Sequence, residues 1–365
     1  MKAKKIILPF LFCATVVCAD TITVTSLDDS GSGTLRDAIM NAQNGDTIDF
    51  DSSLSGTILL ESALPTITLD DITILGPSDN SITIDGNSQY RIFTVQANPF
   101  KASNLNFNHG ADAAKGGAVF VNSGYYANLT DVVITPAAGS VGENALYVDT
   151  SGVLDITDVT FTSADSSQAY LNAGSLNIKS NVPLEYIVDG VGGGQISKFG
   201  DSSATVSPPP SVTVDYYLIA SNGSLSFTGS SVDSAVVLSS GELQGNFEVS
   251  DVANLGSLMP GDASSFGTIN FTGDYISVGG ETKIKVDPSS SSDLVFAGGN
   301  IYLFFSALTI VPASGTYTQG TVFTILTTDG GANGTFDTVS LGGLDAQVNY
   351  NANSIEIEIL NDTTI

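Results

Sequence analysis

Leu129-Thr-Asp-Val-Val-Ile134 returns twenty-seven residues later as Ile156-Thr-Asp-Val-Thr-Phe161, and at the same offset before it stands Ala102-Ser-Asn-Leu-Asn-Phe107. A second segment keeps the same spacing, because Ala118-Val-Phe-Val121 matches Ala145-Leu-Tyr-Val148. Two separate strand-like segments repeating with one period imply coils of about 27 residues, each stacked on the last. A single coil cannot bury its apolar side chains, whereas a stack forms continuous apolar rows. The expected fold is all-β: a right-handed single-stranded parallel β-helix.

Working outward from the repeat, apolar residues alternate with polar ones at Ile22/Val24, Ile72/Ile74, Ile82/Ile84, Leu154/Ile156, Leu176/Ile178, Leu225/Phe227, Ile269/Phe271, Ile284/Val286 and Ile355/Ile357/Ile359. A period of two marks half-buried strands. Long helical patterns are nearly absent, which excludes an α/β arrangement with crossover helices. A sandwich and an antiparallel barrel are the other all-β choices, and the internal repeat selects the solenoid.

An open solenoid exposes its apolar end, which needs a cover. Gly33 to Gln43 reads as a short helix for that purpose. Thr34 and Asp37 have capping-box spacing, Leu35, Ala38, Ile39 and Ala42 form one apolar face, and Asn44-Gly45 supplies the stop. Ser207-Pro-Pro-Pro-Ser211 is the sharpest break in composition, since proline donates nothing to a central ladder. The expected organisation is a leader at 1–19, a capped β-helical half at 20–206, the break at 207–211, a second β-helical half at 212–360 and a tail at 361–365.

Lys2, Lys4 and Lys5 ahead of the apolar run Ile6 to Val17, with Val17-Cys18-Ala19 as a small-residue cleavage site, form a secretory signal. A lipid-modified Cys18 is the alternative, and Val17 is a poor residue before such a cysteine. The apolar run is too short to span a bilayer. Both cysteines lie inside the leader, so the exported chain has neither disulfides nor thiolate ligands. Removing the three leader lysines leaves 8 basic against 38 acidic residues and a net charge of −30. Such a chain repels nucleic acid and anionic membranes, and its acidity favours solubility outside the cell. With 38 Gly and no Trp, the composition is that of a repeat protein.

Three stretches resemble known families. Leu27 to Phe50, with Gly-Ser-Gly-Thr-Leu-Arg-Asp-Ala-Ile at its centre, is similar to the N-terminal cap of secreted bacterial β-helix proteins. Phe107-Asn-His-Gly110 followed by Gly116-Gly-Ala-Val119 resembles the repeats of the chlamydial polymorphic outer-membrane proteins. Leu258-Met-Pro-Gly261, Gly267-Thr-Ile-Asn-Phe-Thr-Gly273-Asp-Tyr275, Ser292 to Gly298, Thr321-Val-Phe-Thr-Ile-Leu326 and Gly334-Thr-Phe336 stand in the order seen in autotransporter passengers just before the translocator barrel. That resemblance implies a passenger β-helix that folds outside the cell. A membrane barrel needs at least eight strands of about 10 residues. Only Asn361 to Ile365 follow the last strand, so the chain is expected to be a passenger without its own translocator.

Many parallel β-helices cleave polysaccharides, and glycoside hydrolysis needs paired carboxylates. Asp70-Asp71 and the sole histidine, His109, faintly resemble polygalacturonase elements, but the Arg-x-Lys expected after the histidine is missing. Pectate-lyase chemistry needs a basic residue beside calcium-bridging carboxylates; Arg36 belongs to the helix, and Arg91 beside Tyr90 reads as a covering surface residue. A serine triad lacks its Gly-x-Ser-x-Gly elbow, zinc lacks ligands, and tandem calcium-binding nonapeptides are absent, Gly330-Gly-Ala-Asn-Gly334 being single. The expectation is therefore no catalytic residue, no cofactor and no metal. The chain is read as an exported structural or adhesive protein at the cell surface or outside it, or in the periplasm without a translocator. Its partners would be host, matrix or neighbouring-cell surfaces and a separate outer-membrane translocator. The alternatives are a carbohydrate-active β-helix with an acidic groove around Asp70, Asp71, Asp85 and Arg91, and a defunct passenger.

Overall fold

A computed structural model describes residues 19–111, 116–137, 145–162, 169–179, 184–191, 194–207, 216–227, 231–262 and 264–365, with backbone alone at 169–170, 184–191, 207, 216–217 and 231. Most of the expected leader and Pro208 to Ser211 lie outside these residues. The described residues are all β, with one helix and one large, mostly parallel sheet among them.

Up to Ala307–Pro312, the described strands pair in parallel with strands further along the chain. One inward column runs in register through Ile22, Ile48, Ile74, Ala102, Leu129, Ile156, Ile178, Lys198, Ala220, Val237, Asn254, Ser277 and Leu303. The period of two holds along these strands: apart from half-buried Ile22, the alternating pairs read from the sequence are buried. Stacking like on like fills the interior. Phe93, for example, sits between Phe100 and Phe107 with ring centroids 5.2 and 5.5 Å away.

The circuit length is not constant. Twenty-seven residues separate Ala102, Leu129 and Ile156, but twenty separate Ile178 from Lys198 and seventeen separate Ala220, Val237 and Asn254. In the longer circuits a short strand such as Val119–Val121 or Leu146–Val148 stands apart from the strand that follows it. In the shortest ones a single strand, Ser231–Gly245, pairs with both Phe247–Asn254 and Ser257–Pro260.

The helix spans Leu35–Asn41. Thr34 Oγ1 accepts from the Asp37 amide at 3.2 Å, and Asp37 Oδ2 accepts from the Gly33 amide at 3.0 Å. The carboxylate thus reaches one residue beyond the position a Glu would serve in a capping box. Leu35, Ala38 and Ile39 are buried, and the helix stops at Ala42, which is already extended, before Gly45 turns the chain at φ +90°.

At the other end the parallel order gives way. Val322–Thr328 pairs in parallel with Leu294–Ala297 on one side and antiparallel with Ser354–Ile359 on the other, and Ala346–Tyr350 adds a further antiparallel strand. The tail segment contributes Thr363–Thr364, antiparallel to Thr316–Tyr317. The outer strand carries Gln347, Asn349 and Tyr350, polar residues that blunt an exposed sheet edge.

Two lysines are covered despite their charge. Lys198 points inward and is fully buried, its Nζ donating to Phe199 O at 2.6 Å and Gly200 O at 3.0 Å. Lys285 is on the outer side of its strand but covered: its Nζ lies 2.8 Å from Asp293 Oδ2 and donates to Pro260 O at 2.7 Å. The turn at Asp287 to Ser291 folds back over the strand and brings the fully buried Asp293 carboxylate onto it.

Candidate functional site

The acidic set singled out in the sequence is spread along one circuit. Asp70 and Asp71 precede the strand Ile72–Leu75; Asp70 Oδ1 accepts from the Asn98 amide at 2.8 Å, and Asp71, at φ +58°, pairs with Lys101 at 2.6 Å. Asp85 ends the next strand and is placed opposite Asn108. Lys101 and Asn108 stand near opposite ends of the strand Phe100–Asn108, which turns at Asn104 (φ +56°), so Asp71 and Asp85 are held at separate corners. Arg91 precedes a third strand, Phe93–Val95. Its Nε donates to Gly116 O at 2.9 Å and its guanidinium lies 4.7 Å from the Phe120 ring centroid, a cation–π contact.

Of these residues, the structure brings Asp85 and His109 together: Nδ1 is 2.9 Å from Asp85 Oδ2, with the imidazole half-exposed. His109 occupies a turn at φ +46°, and Asp85 Oδ1 also accepts from the Asn87 amide at 2.7 Å. The carboxylate thereby orients the ring and closes its own turn. Arg36 belongs to the helix and is tied to Asp29 Oδ1 at 2.6 Å and to the Ser62 and Ala63 carbonyls.

A second cluster was not foreseen. Along one corner of the stack, Gly223, Gly241, Gly256 and Gly280 floor a groove of about 510 Å³ walled by Ser239, Ser240 and Leu255 on one side and Glu242, Glu281 and Lys283 on the other. The glycines are required by close packing. A Cβ on Gly241 would lie 2.1 Å from Ala220 O, and one on Gly256 would lie 2.1 Å from Leu238 O. Removing side chains from the corner opens the groove.

Pairing places Glu242, Ser257, Glu281 and Ala307 in one outward column, with Lys283 two residues along from Glu281. Lys283 Nζ contacts Glu242 and lies 3.7 Å from Glu281 Oε2. Gln244 donates to Glu242, Ser257 Oγ donates to Glu281 Oε2 at 3.3 Å, and Thr309 donates to Glu281 Oε1. Burial alone would raise the Glu242 carboxyl, but hydrogen bonds from Lys283 and Gln244 overcome it and hold the group below its usual range. Burial alone would lower Lys283, and the Glu242 carboxylate more than offsets that, raising it. The cluster thus sets the Lys283 ammonium between Glu242, whose ionised form is favoured, and Glu281. A glycosidase pair needs one carboxyl protonated as acid and one ionised; Glu242, held low, fits only the ionised member. What the array offers is fixed acceptors and a fixed cation in a groove lined by glycine, serine and a single leucine.

The signal for this cluster was present but displaced. Glu242 to Ser257 is 15 residues and Ser257 to Glu281 is 24, so a 27-residue frame does not align them. Among the described residues no three His, Cys, Asp or Glu side chains converge as a metal site. The chain matches no family model and no curated protein sequence.

Proposed function

We propose that this chain is an exported, non-catalytic structural or adhesive protein, a right-handed parallel β-helix of the passenger type with the helix Leu35–Asn41 as a lid over its first circuit. The observation that carries the reading is the in-register parallel column from Ile22 to Leu303, which presents side chains outward in equally continuous rows. The outward row beside it begins Thr21, Thr47, Thr73, Lys101, Asn128. Repeated hydroxyl and amide groups at strand spacing, about 4.8 Å apart, suit a multivalent weak contact with host, matrix or neighbouring-cell surfaces. No single residue dominates such binding.

The proposal is tested on intact cells of the producing organism. Antibody labelling and protease sensitivity without permeabilisation place the chain on the surface, and competition by purified chain against cell attachment measures adhesion. Labelling that appears only after permeabilisation excludes surface display. A second reading, a carbohydrate-active β-helix, draws on the groove of Glu242, Glu281 and Lys283 rather than on the separated Asp71 and Asp85. Release of reducing ends or unsaturated sugars from acidic polysaccharides, lost in Glu242→Gln, would establish it over the adhesive one.

A further inference from the structure

The outward rows change character partway along the stack. The row Thr21, Thr47, Thr73, Lys101, Asn128, Asp155, Asn177, Ser197 continues as Ile219, Val236, Ala253, Ile276, Tyr302. Its companion on the same face begins Thr23, Asp49, Leu75, Ser103, Thr130, Thr157 and ends Leu238, Leu255, Val278, Phe304. One face of one sheet is therefore polar over the early circuits, Leu75 excepted, and apolar over the late ones. No charged residue stands in either apolar run.

Phe305 makes the departure sharper. Val278 pairs with Phe304, so Phe305 occupies the corner that Gly279 occupies one circuit earlier, and both have left-handed backbones, at φ +55° and +70°. Glycine adopts that conformation freely, whereas a residue with a Cβ is disfavoured there. The side chain gains no core contact in return, being 80% exposed. A bulky aromatic that is both strained and exposed serves something outside its own fold.

We infer that this face, Ile276, Val278, Tyr302, Phe304 and Phe305 with Leu255 beside them, is an interface that docks a second copy of this chain, sheet face against sheet face. The exposed apolar surface from Leu238 to Phe305 is on the order of 600 Å² per copy, larger than scattered surface residues produce and enough for a small specific interface of roughly 1,200 Å² in total. Flat sheet faces pack on each other at about 10 Å with side chains interdigitating. The uncharged rows allow that without burying an ion. Exposed carboxylates, Asp251 on one border among them, flank the face and repel their counterparts on the second copy. Self-association therefore strengthens as salt screens them, opposite to an ion-paired complex. The inference rests on strand register and exposure and stands whether or not the adhesive reading does.

Analytical ultracentrifugation of the purified chain across a wide concentration range, at low and high salt, tests it. The expected result is a shift from one copy to two, with a dissociation constant that falls as salt rises. Val278→Lys and Phe305→Gly each weaken it by about tenfold or more. Phe305→Gly relieves the backbone, so retained or raised thermal stability separates lost docking from lost folding. A single-copy mass throughout overturns the second copy as occupant and leaves the face to a different apolar partner. Association weakened by salt, or unchanged in Val278→Lys, overturns it as well.

Discussion

Lys285 Nζ and Asp293 Oδ2 stand 2.8 Å apart, with the carboxylate wholly shielded from water. Asp293 also accepts from the Gly267 amide at 3.0 Å and the Lys285 amide at 2.8 Å, so one side chain joins a turn, a strand and the preceding circuit. Asp293→Ala leaves the covered ammonium with the Pro260 carbonyl alone and two amides without their acceptor. Breaking one side of such a pair costs about 3–5 kcal/mol, and chemical denaturation should read a loss of that size. Lys285→Met with Asp293 retained should also destabilise, whereas a double substitution to apolar residues should recover part of the loss.

Lys198 poses the reverse case. It holds an inward position between Ile178 and Ala220, and its ammonium is satisfied by two carbonyls rather than by a carboxylate. Burial lowers its pKa, with Asp201 partly opposing. For a base depressed by folding, the unfolded chain holds the proton more tightly, so stability rises as pH climbs from the folded pKa toward the ordinary lysine value. Lys198→Met keeps the volume and removes the buried charge. It should raise stability by about 1–2 kcal/mol at neutral pH and abolish the alkaline gain in a thermal-melt series.

How much of this was legible follows the circuit length. Between Ala102 and Phe161 the circuits are 27 residues, so copies align by eye and the parallel register is readable from sequence. Past Ile156 the circuit shortens to twenty-two, twenty and twenty-two residues and then to seventeen, which hides the same column; Ala220, Val237 and Asn254 share no obvious motif. Lys198 lies on the same side of its strand as buried Ile196, so alternation alone places it inward. Glu242 and Glu281 could not be joined without the shortened circuits. The antiparallel finish at Ser354–Ile359 was hidden for another reason. Period-two alternation reports a buried face and says nothing about strand direction.

The glycine corner makes a steric prediction. Gly241 lies where a Cβ would press on Ala220 O at 2.1 Å, whereas at Gly331 the nearest atom to an added Cβ is 3.7 Å away and φ is not positive. Gly241→Ala must push the circuits apart and should cost about 1–3 kcal/mol as overpacking does. Gly331→Ala should be neutral or stabilising by up to about 1 kcal/mol, through the lower entropy of the unfolded chain. Equal losses in the two variants would show that the corner is not close-packed.

The Glu242, Lys283 and Glu281 array should set a pH window. Glu242 is lowered on folding, so its contribution is present above the unfolded carboxyl pKa and is lost as pH falls through the lower folded value. Lys283 is raised, so its contribution is present below the unfolded lysine pKa and is lost as pH rises through the higher folded value. Between those limits the array is complete. Lys283→Met removes the shared cation and leaves Glu242 and Glu281 facing one groove with like charge. The variant should lose stability at neutral pH and recover part of it on acidification, as one carboxyl takes up a proton. Thermal melts of wild type and variant from acid to neutral pH should therefore converge toward the acid side. Parallel curves would mean that Lys283 does not bridge the two carboxylates.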